Sequence, residues 1–134
     1  MADFSFADFQ AAVSDCLIRH RSVLDVITKF QEASARVNRA VAKSVTVCGC
    51  MEINASKQRL PEPADDMSLS DLKQLMSTHI AGELCADCKD SLETEVGRCL
   101  YYLVALCSVA GINFDEVMTR EWERLHMLGL FNMN

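Results

Sequence analysis

Two cysteine pairs are the residues of this chain best suited to chemistry: Cys48-Gly-Cys50 and Cys85-Ala-Asp-Cys88. Four thiolates can close a tetrahedral structural zinc site, and ligand pairs one or two residues apart let a short turn present both sulfurs. Gly49 permits a tight turn within the first pair. Amides at a helix N-terminus following Cys85 favour thiolates there. The same four sulfurs would also suit an iron–sulfur cluster or redox disulfides. Zinc is the leading expectation, because no open ligand position is implied and the site reads as structural rather than catalytic.

The chain holds 7 Cys in 134 residues, an odd count. The acidic N-terminus, MADFSFADFQ, lacks the basic start of an export signal. A cytoplasmic, reducing location is therefore expected, in which thiols stay free or bind metal. Cys16, Cys99 and Cys107 fall at apolar helical spacings and read as core. His79, six residues before Cys85, could replace a sulfur, although a helix-end contact with carbonyls suits it better. His20 and His126 belong to no legible constellation of nucleophile and base.

The elements that must position these cysteines read as helices. Phe6, Phe9, Val13, Cys16 and Leu17 step by three and four, as one face of a short first helix does. Ser22 with Asp25 resembles a capping box. The second helix is predicted from there over about 23–47, its face formed by Val23, Ile27, Phe30, Val37, Val41 and Val45. A long loop follows over about 48–67, signalled by Gly49, Pro61, Pro63 and the polar run Asn54 to Gln58. Ser68 with Asp71 caps a short third helix carrying Leu69, Leu72, Leu75 and Met76, with Gly82 as its left-handed stop. A fourth helix after Cys85 presents Leu92, Val96, Cys99, Leu100, Leu103 and Cys107, and ends before Gly111. Asn113 with Glu116 caps a fifth, which Gly129 ends after about Leu128. No segment carries the alternation of a hairpin, although 45–47 is locally β-prone. The expected fold is all-α: residues 1–134 form a single antiparallel bundle of about five helices, in which the end of the second helix meets the start of the fourth.

With 50% hydrophobic and 24% charged residues the chain has material for a core. No apolar run approaches the ~18 residues of a membrane span. The 13 Lys and Arg against 19 Asp and Glu leave a net charge of −6. The split is uneven: residues 1–47 hold 6 basic and 5 acidic side chains, leaving 7 and 14 for the rest. That balance argues against nucleic acid, whose binding rests on clustered positive charge. Arg19, Arg21, Lys29, Arg36, Arg39 and Lys43 read as solvated helix faces. Trp122, Leu125, Leu128, Leu130 and Phe131 read as core packing, with an oligomer contact as the alternative.

Carboxylates cluster at the start of the fourth helix, where Asp87, Asp90, Glu93 and Glu95 suit the helix dipole. The stretch Glu95-Val-Gly-Arg-Cys-Leu-Tyr-Tyr-Leu-Val-Ala-Leu, followed by Gly111-Ile-Asn-Phe-Asp-Glu-Val-Met, resembles the second half of the MazG-like all-α nucleotide pyrophosphohydrolase domain. Glu32-Ala-Ser-Ala-Arg-Val-Asn-Arg-Ala-Val resembles its first motif helix. Together these segments cover about a third of the chain. The resemblance implies a helical bundle that pairs its helices across subunits. It also implies hydrolysis of nucleoside triphosphates with magnesium held by E-x-x-E on one helix and E-x-x-D on another. The first motif falls on Ala33 and Arg36, the second on Glu95 and Arg98. Only Glu95, the one candidate for a catalytic role, is acidic, and two arginines repel a cation that needs several hard oxygen ligands. Glu32 with Arg36 and Glu95 with Arg98 are spaced to pair on one helix face. Alternatively Arg36 and Arg98 bind a phosphate.

The expected function is accordingly a zinc-binding helical module of this kind without standard magnesium-dependent hydrolysis. It would act as a structural, nucleotide-binding or regulatory homo-oligomer, dimer or tetramer. The alternatives are an active pyrophosphohydrolase drawing on Glu32, Asp87, Asp90, Glu93 and Glu95, and a zinc–thiol redox sensor.

Overall fold

A computed structural model describes residues 3–59 and 67–131, with side chains described through Leu128. The chain runs α1 (Phe6–Cys16), α2 (Val23–Lys43), a π-helical turn (Ser44–Cys48), β1 (Met51–Ile53), α3 (Leu69–Leu75), β2 (Ile80–Gly82), α4 (Ala86–Val109) and α5 (Phe114–Phe131). The molecule is mostly helical, as expected. Pro61 and Pro63, two of the loop signals, lie outside the described residues.

Local capping explains where the helices begin. Ser5 and Asp8 exchange side-chain and backbone hydrogen bonds at the start of α1, at 3.0 and 3.1 Å. Ser68 and Asp71 repeat this reciprocal box at α3, both bonds at 3.1 Å. Each box satisfies amides that the first helical turn leaves without partners. At α2 the expected box with Asp25 does not form: the Ser22 hydroxyl accepts from the Leu24 amide, at 3.3 Å. Asn113 Oδ1 accepts from the Glu116 amide at 3.2 Å and fixes the entry to α5.

The apolar core joins α1, the first half of α2, the second half of α4 and the start of α5. Val13, Leu17, Val26, Val104, Ala105, Cys107 and Phe114 are buried together, with Phe9, Tyr101, Leu106 and Val109 against them. Val26 and Val104 are wholly buried. Each such side chain contributes about 1.5–3 kcal/mol of burial free energy. Gln10 ties α1 to the α4–α5 corner. Its Nε2 donates to the Ile112 carbonyl at 2.8 Å and to Ser108 Oγ at 3.3 Å, while Oε1 accepts from the Phe114 amide at 2.9 Å.

Several expectations are corrected. On α2 the predicted face holds in part: Phe30, Val37, Val41 and Val45 are half-buried, but Val23 and Ile27 are exposed and Val26 and Ala33 are the buried residues. On α4 the buried residues are Val104, Ala105 and Cys107, whereas Val96, Leu100 and Leu103 stay exposed. The buried residues of the two helices are the small Ala33 and Ala105 beside Val26, Val104 and Cys107. Cys16 is exposed rather than core, Cys99 half-buried and Cys107 buried. Trp122 and Leu125 are exposed, not packed in the core. Helix α5 continues through Gly129 to Phe131. The side chains of Leu130 and Phe131 lie outside the described set. Two three-residue strands occur where none was expected, pairing antiparallel as Met51 with Gly82, Glu52 with Ala81 and Ile53 with Ile80. Among the described residues no single helix is long and apolar enough to cross a membrane.

Candidate metal centre

Regular α-helix ends at Lys43, short of the predicted end, and the chain passes into one π-helical turn. Its cause is local. The Ser44 side chain is wholly buried, its hydroxyl donates to the Val41 carbonyl at 2.6 Å, and its own carbonyl accepts from the Gly49 amide at 3.0 Å. That wider turn carries Cys48 past the end of α2. Gly49 then takes a left-handed φ of 78°, and the Cys50 thiol turns back to donate to the same Ser44 carbonyl at 3.7 Å. One carbonyl thus organises the whole first cysteine pair.

The small sheet brings the second pair to the first. Cys50 immediately precedes β1 and Cys85 lies three residues after β2, so antiparallel pairing of Met51 with Gly82 sets both at one end of the ladder. Gly82 has a φ of 83°, and a Cβ built there would lie 2.6 Å from the Cys50 carbonyl oxygen. It is therefore not the stop of α3, which ends at Leu75, but the point at which β2 passes closest to the cysteine turn. Outside the strands the Asn54 amide donates to the His79 carbonyl at 2.9 Å. Gln58 also exchanges two side-chain bonds with the Ser77 backbone, at 2.6 and 3.1 Å.

At the start of α4, Cys85 is itself the N-cap, its sulfur accepting from the Cys88 amide at 3.4 Å. The four sulfurs of Cys48, Cys50, Cys85 and Cys88 all lie within 4.8 Å of one another. Those of Cys48 and Cys85 are 3.8 Å apart. A zinc–sulfur bond of about 2.3 Å in a tetrahedron gives a sulfur–sulfur edge of about 3.8 Å. The donor set and its spacing therefore fit a four-thiolate ion of that size. The electrostatics are split in a way that suits it. The Cys88 amide, followed by the Cys88 thiol, lowers the Cys85 pKa to about 7. Hydrogen bonding to the Cys85 and Cys50 sulfurs pushes Cys88 up to about 12. Thiols crowded this closely resist shared ionisation until a cation supplies the missing positive charge.

His79 does not join the cluster. It sits just before β2 with a φ of 60°, not at a helix end, and its buried Nε2 has no hydrogen-bond partner among the described residues. Nor do the carboxylates assemble: the four cysteines are the one group of three or more His, Cys, Asp or Glu ligands among the described residues. Glu93 pairs instead with Lys89 at 3.9 Å.

The helices α2 and α4 run antiparallel, as Cys48 near Cys85 at one end and Val26 with Val104 in the core at the other require. Between these ends lies a cavity of about 220 Å³ lined by Lys29, Glu32, Ala33, Arg36, Arg98 and Tyr102. Glu32 bonds Arg36 at 3.1 Å and pairs with Lys29 at 3.5 Å, and these cations lower its pKa, the Arg36 hydrogen bond most. Arg98 pairs with Glu95 at 3.4 Å, and the second carboxylate oxygen of Glu95 is buried without a partner among the described residues. The structure thus brings Arg36 and Arg98 to one cavity. Lys29 and Tyr102 were not singled out as its walls, though their helical spacing from Arg36 and Arg98 places them there. Ser44 and Gly82 were also missed. Their roles depend on a π-turn and a strand pairing that no local pattern announces. Comparison of the chain with protein-family models, curated proteins and solved structures gives no match.

Proposed function

We propose that this chain is a zinc-stapled helical binding module whose four-thiolate site fastens the end of α2 to the start of α4. The observation that carries this reading is the convergence of Cys48, Cys50, Cys85 and Cys88 within 4.8 Å. A site with four protein ligands has no open position for substrate, so its contribution is to folding. The relation to MazG-like domains is part of the proposal, supported by the meeting of the Glu32 to Arg36 and Glu95 to Arg98 segments at one cleft. Where magnesium would need carboxylates, Ala33, Arg36 and Arg98 stand instead, which supports a module without that hydrolysis. Metal analysis of untagged protein purified under reducing conditions tests the reading. It requires one zinc per chain and four thiols protected from alkylation, and metal-free protein with all thiols reactive refutes it.

The module is further proposed to work as an assembly of its own copies, on the evidence of its surface. Its accessible area is 10634 Å² at 14.9 kDa. A compact monomer of that mass exposes about 7,000 Å². Allowing full exposure for every residue whose side chain lies outside the described set, at about 160 Å² apiece, still leaves an excess of about 1,200 Å². A stable interface needs about 800 Å² from each partner. Val96, Leu100 and Leu103 form an exposed stripe on α4, with Trp122 and Leu125 exposed on α5. A second copy presenting the same stripe covers it by two-fold symmetry. Light scattering should give at least twice the chain mass, and Leu100→Glu should return it to monomer; a monomer for the unmodified chain overturns the assembly.

A further inference from the structure

We infer that the cleft between α2 and α4 is an anion site that takes a phosphate or diphosphate group without a divalent cation. Lys29, Glu32, Ala33 and Arg36 share one face of α2, and Arg98 and Tyr102 share one face of α4. Where the two faces meet, the walls carry three cations against one carboxylate. Glu95, which pairs with Arg98, is not part of the lining. Counted with Glu95, the cleft keeps an excess of one positive charge on a chain whose net charge is −6.

The cations are engaged but not consumed. A guanidinium has five N–H donors in a planar fork. Arg36 uses one nitrogen on Glu32, and Arg98 one on Glu95 at 3.4 Å. Their side chains are 56% and 60% exposed, so the remaining donors are accessible to a ligand. Two planar guanidinium forks and an ammonium at one cavity match the multiply charged, tetrahedral oxygen sets of phosphoryl groups, two oxygens of which one fork can bind. Ala33, nearly fully buried, leaves the floor unfilled. The volume of about 220 Å³ is below the roughly 300–1,000 Å³ of pockets that enclose a whole small molecule. The cleft therefore takes the charged end of its ligand. Tyr102 also walls a second cavity, of about 360 Å³, lined besides by Leu17, Ile18 and Tyr101 and by the polar Arg19 and His20, which can accept the organic part of a phosphate ester.

The cations of the cleft all lie on α2 and α4, and none of them belongs to the cysteine cluster. It is tested by calorimetric titration of the full zinc-loaded chain at low salt with inorganic phosphate, inorganic pyrophosphate and phenyl phosphate, with and without magnesium. Pyrophosphate should bind without magnesium and weaken as salt is raised. Arg36→Gln and Arg98→Gln should each weaken it about tenfold or more, and Glu32→Gln should tighten it. Phenyl phosphate binding tighter than phosphate would identify an ester as the ligand class; equal binding would identify the inorganic ion. Neither arginine is one of the clustered thiols, so zinc content should not change in these variants, which separates failure of this site from failure of the metal reading. No heat up to millimolar pyrophosphate, binding indifferent to both arginines, or binding only with magnesium overturns the inference.

Discussion

Replacing Cys48 and Cys85 together by serine isolates the energetic contribution of the thiolate cage. Cys48 is exposed, so its substitution removes no core packing. Cys85 caps α4 through its sulfur, and serine is itself a strong N-cap, so the helix start is preserved. What the double variant loses is the cross-link. From Cys50 to Cys85 the closed loop is about 36 residues, and the chain-entropy relation gives about 4 kcal/mol for tying it. Unfolding entropy of about 2.1 cal/mol/K per residue makes about 0.28 kcal/mol/K for this chain, so the melting temperature should fall by about 14 °C. Calorimetry under reducing conditions, with metal analysis of the same samples, reads both quantities. Chelation of the unmodified protein should reproduce the drop, and added zinc should reverse it there but not in the double variant. An unchanged melting temperature with unchanged metal content would show that the four sulfurs are neighbours without being a site.

Three further perturbations address other parts of the structure. Gly82→Ala should lose at least about 2 kcal/mol, or about 7 °C, and release zinc more readily to a competing chelator, because its Cβ would meet the Cys50 carbonyl at 2.6 Å. Gly49→Ala, with a φ of 78° but open space around it, should lose only about 1–2 kcal/mol; equal effects of the two would remove the close approach as the cause. Gln10→Ala should lose about 2 kcal/mol by opening three hydrogen bonds at the α1–α4–α5 corner while leaving zinc content untouched, as thermal melts and metal analysis can establish. Because Glu32 has a lowered pKa in the folded chain, its contribution is present above the unfolded value and is lost as pH falls through the folded one. Arg36→Gln should move its titration upward in carboxyl-resolved NMR, and no movement would mean that the Arg36 bond is absent in solution.

The helix starts were the most legible part of the fold, because capping is local. Ser68 with Asp71 and Asn113 with Glu116 act at their expected positions. Helix faces were harder to read. Periodicity weights the large apolar residues, and on α4 those include Val96, Leu100 and Leu103, which face outward. Beside Val26 and Val104, the buried residues of α2, α4 and the turn after α2 include the small Ala33, Ser44 and Ala105, which periodicity weights little. Three-residue strands offer too short a window for alternation, so β1 and β2 could not be seen. Gly82 was assigned its left-handed conformation correctly but the wrong purpose, since positive φ marks a backbone need without naming it.

The clustered cysteines were legible for a reason the rest of the site lacks. Each cysteine pair is a local motif, and only one long-range fact, the antiparallel run of α2 and α4, was needed to bring the pairs together. The turn geometry depends instead on Ser44, whose buried carbonyl bonds both Gly49 and Cys50, and a serine between Lys43 and Val45 carries no such signal in sequence. The cleft lies between these cases. Arg36 and Arg98 attract notice as departures from a resemblance, but Lys29 and Tyr102 gain meaning only when two helices fastened at both ends align their faces. The core around Val26 and Val104 packs one end of that pair, and the cysteine cluster lies at the other.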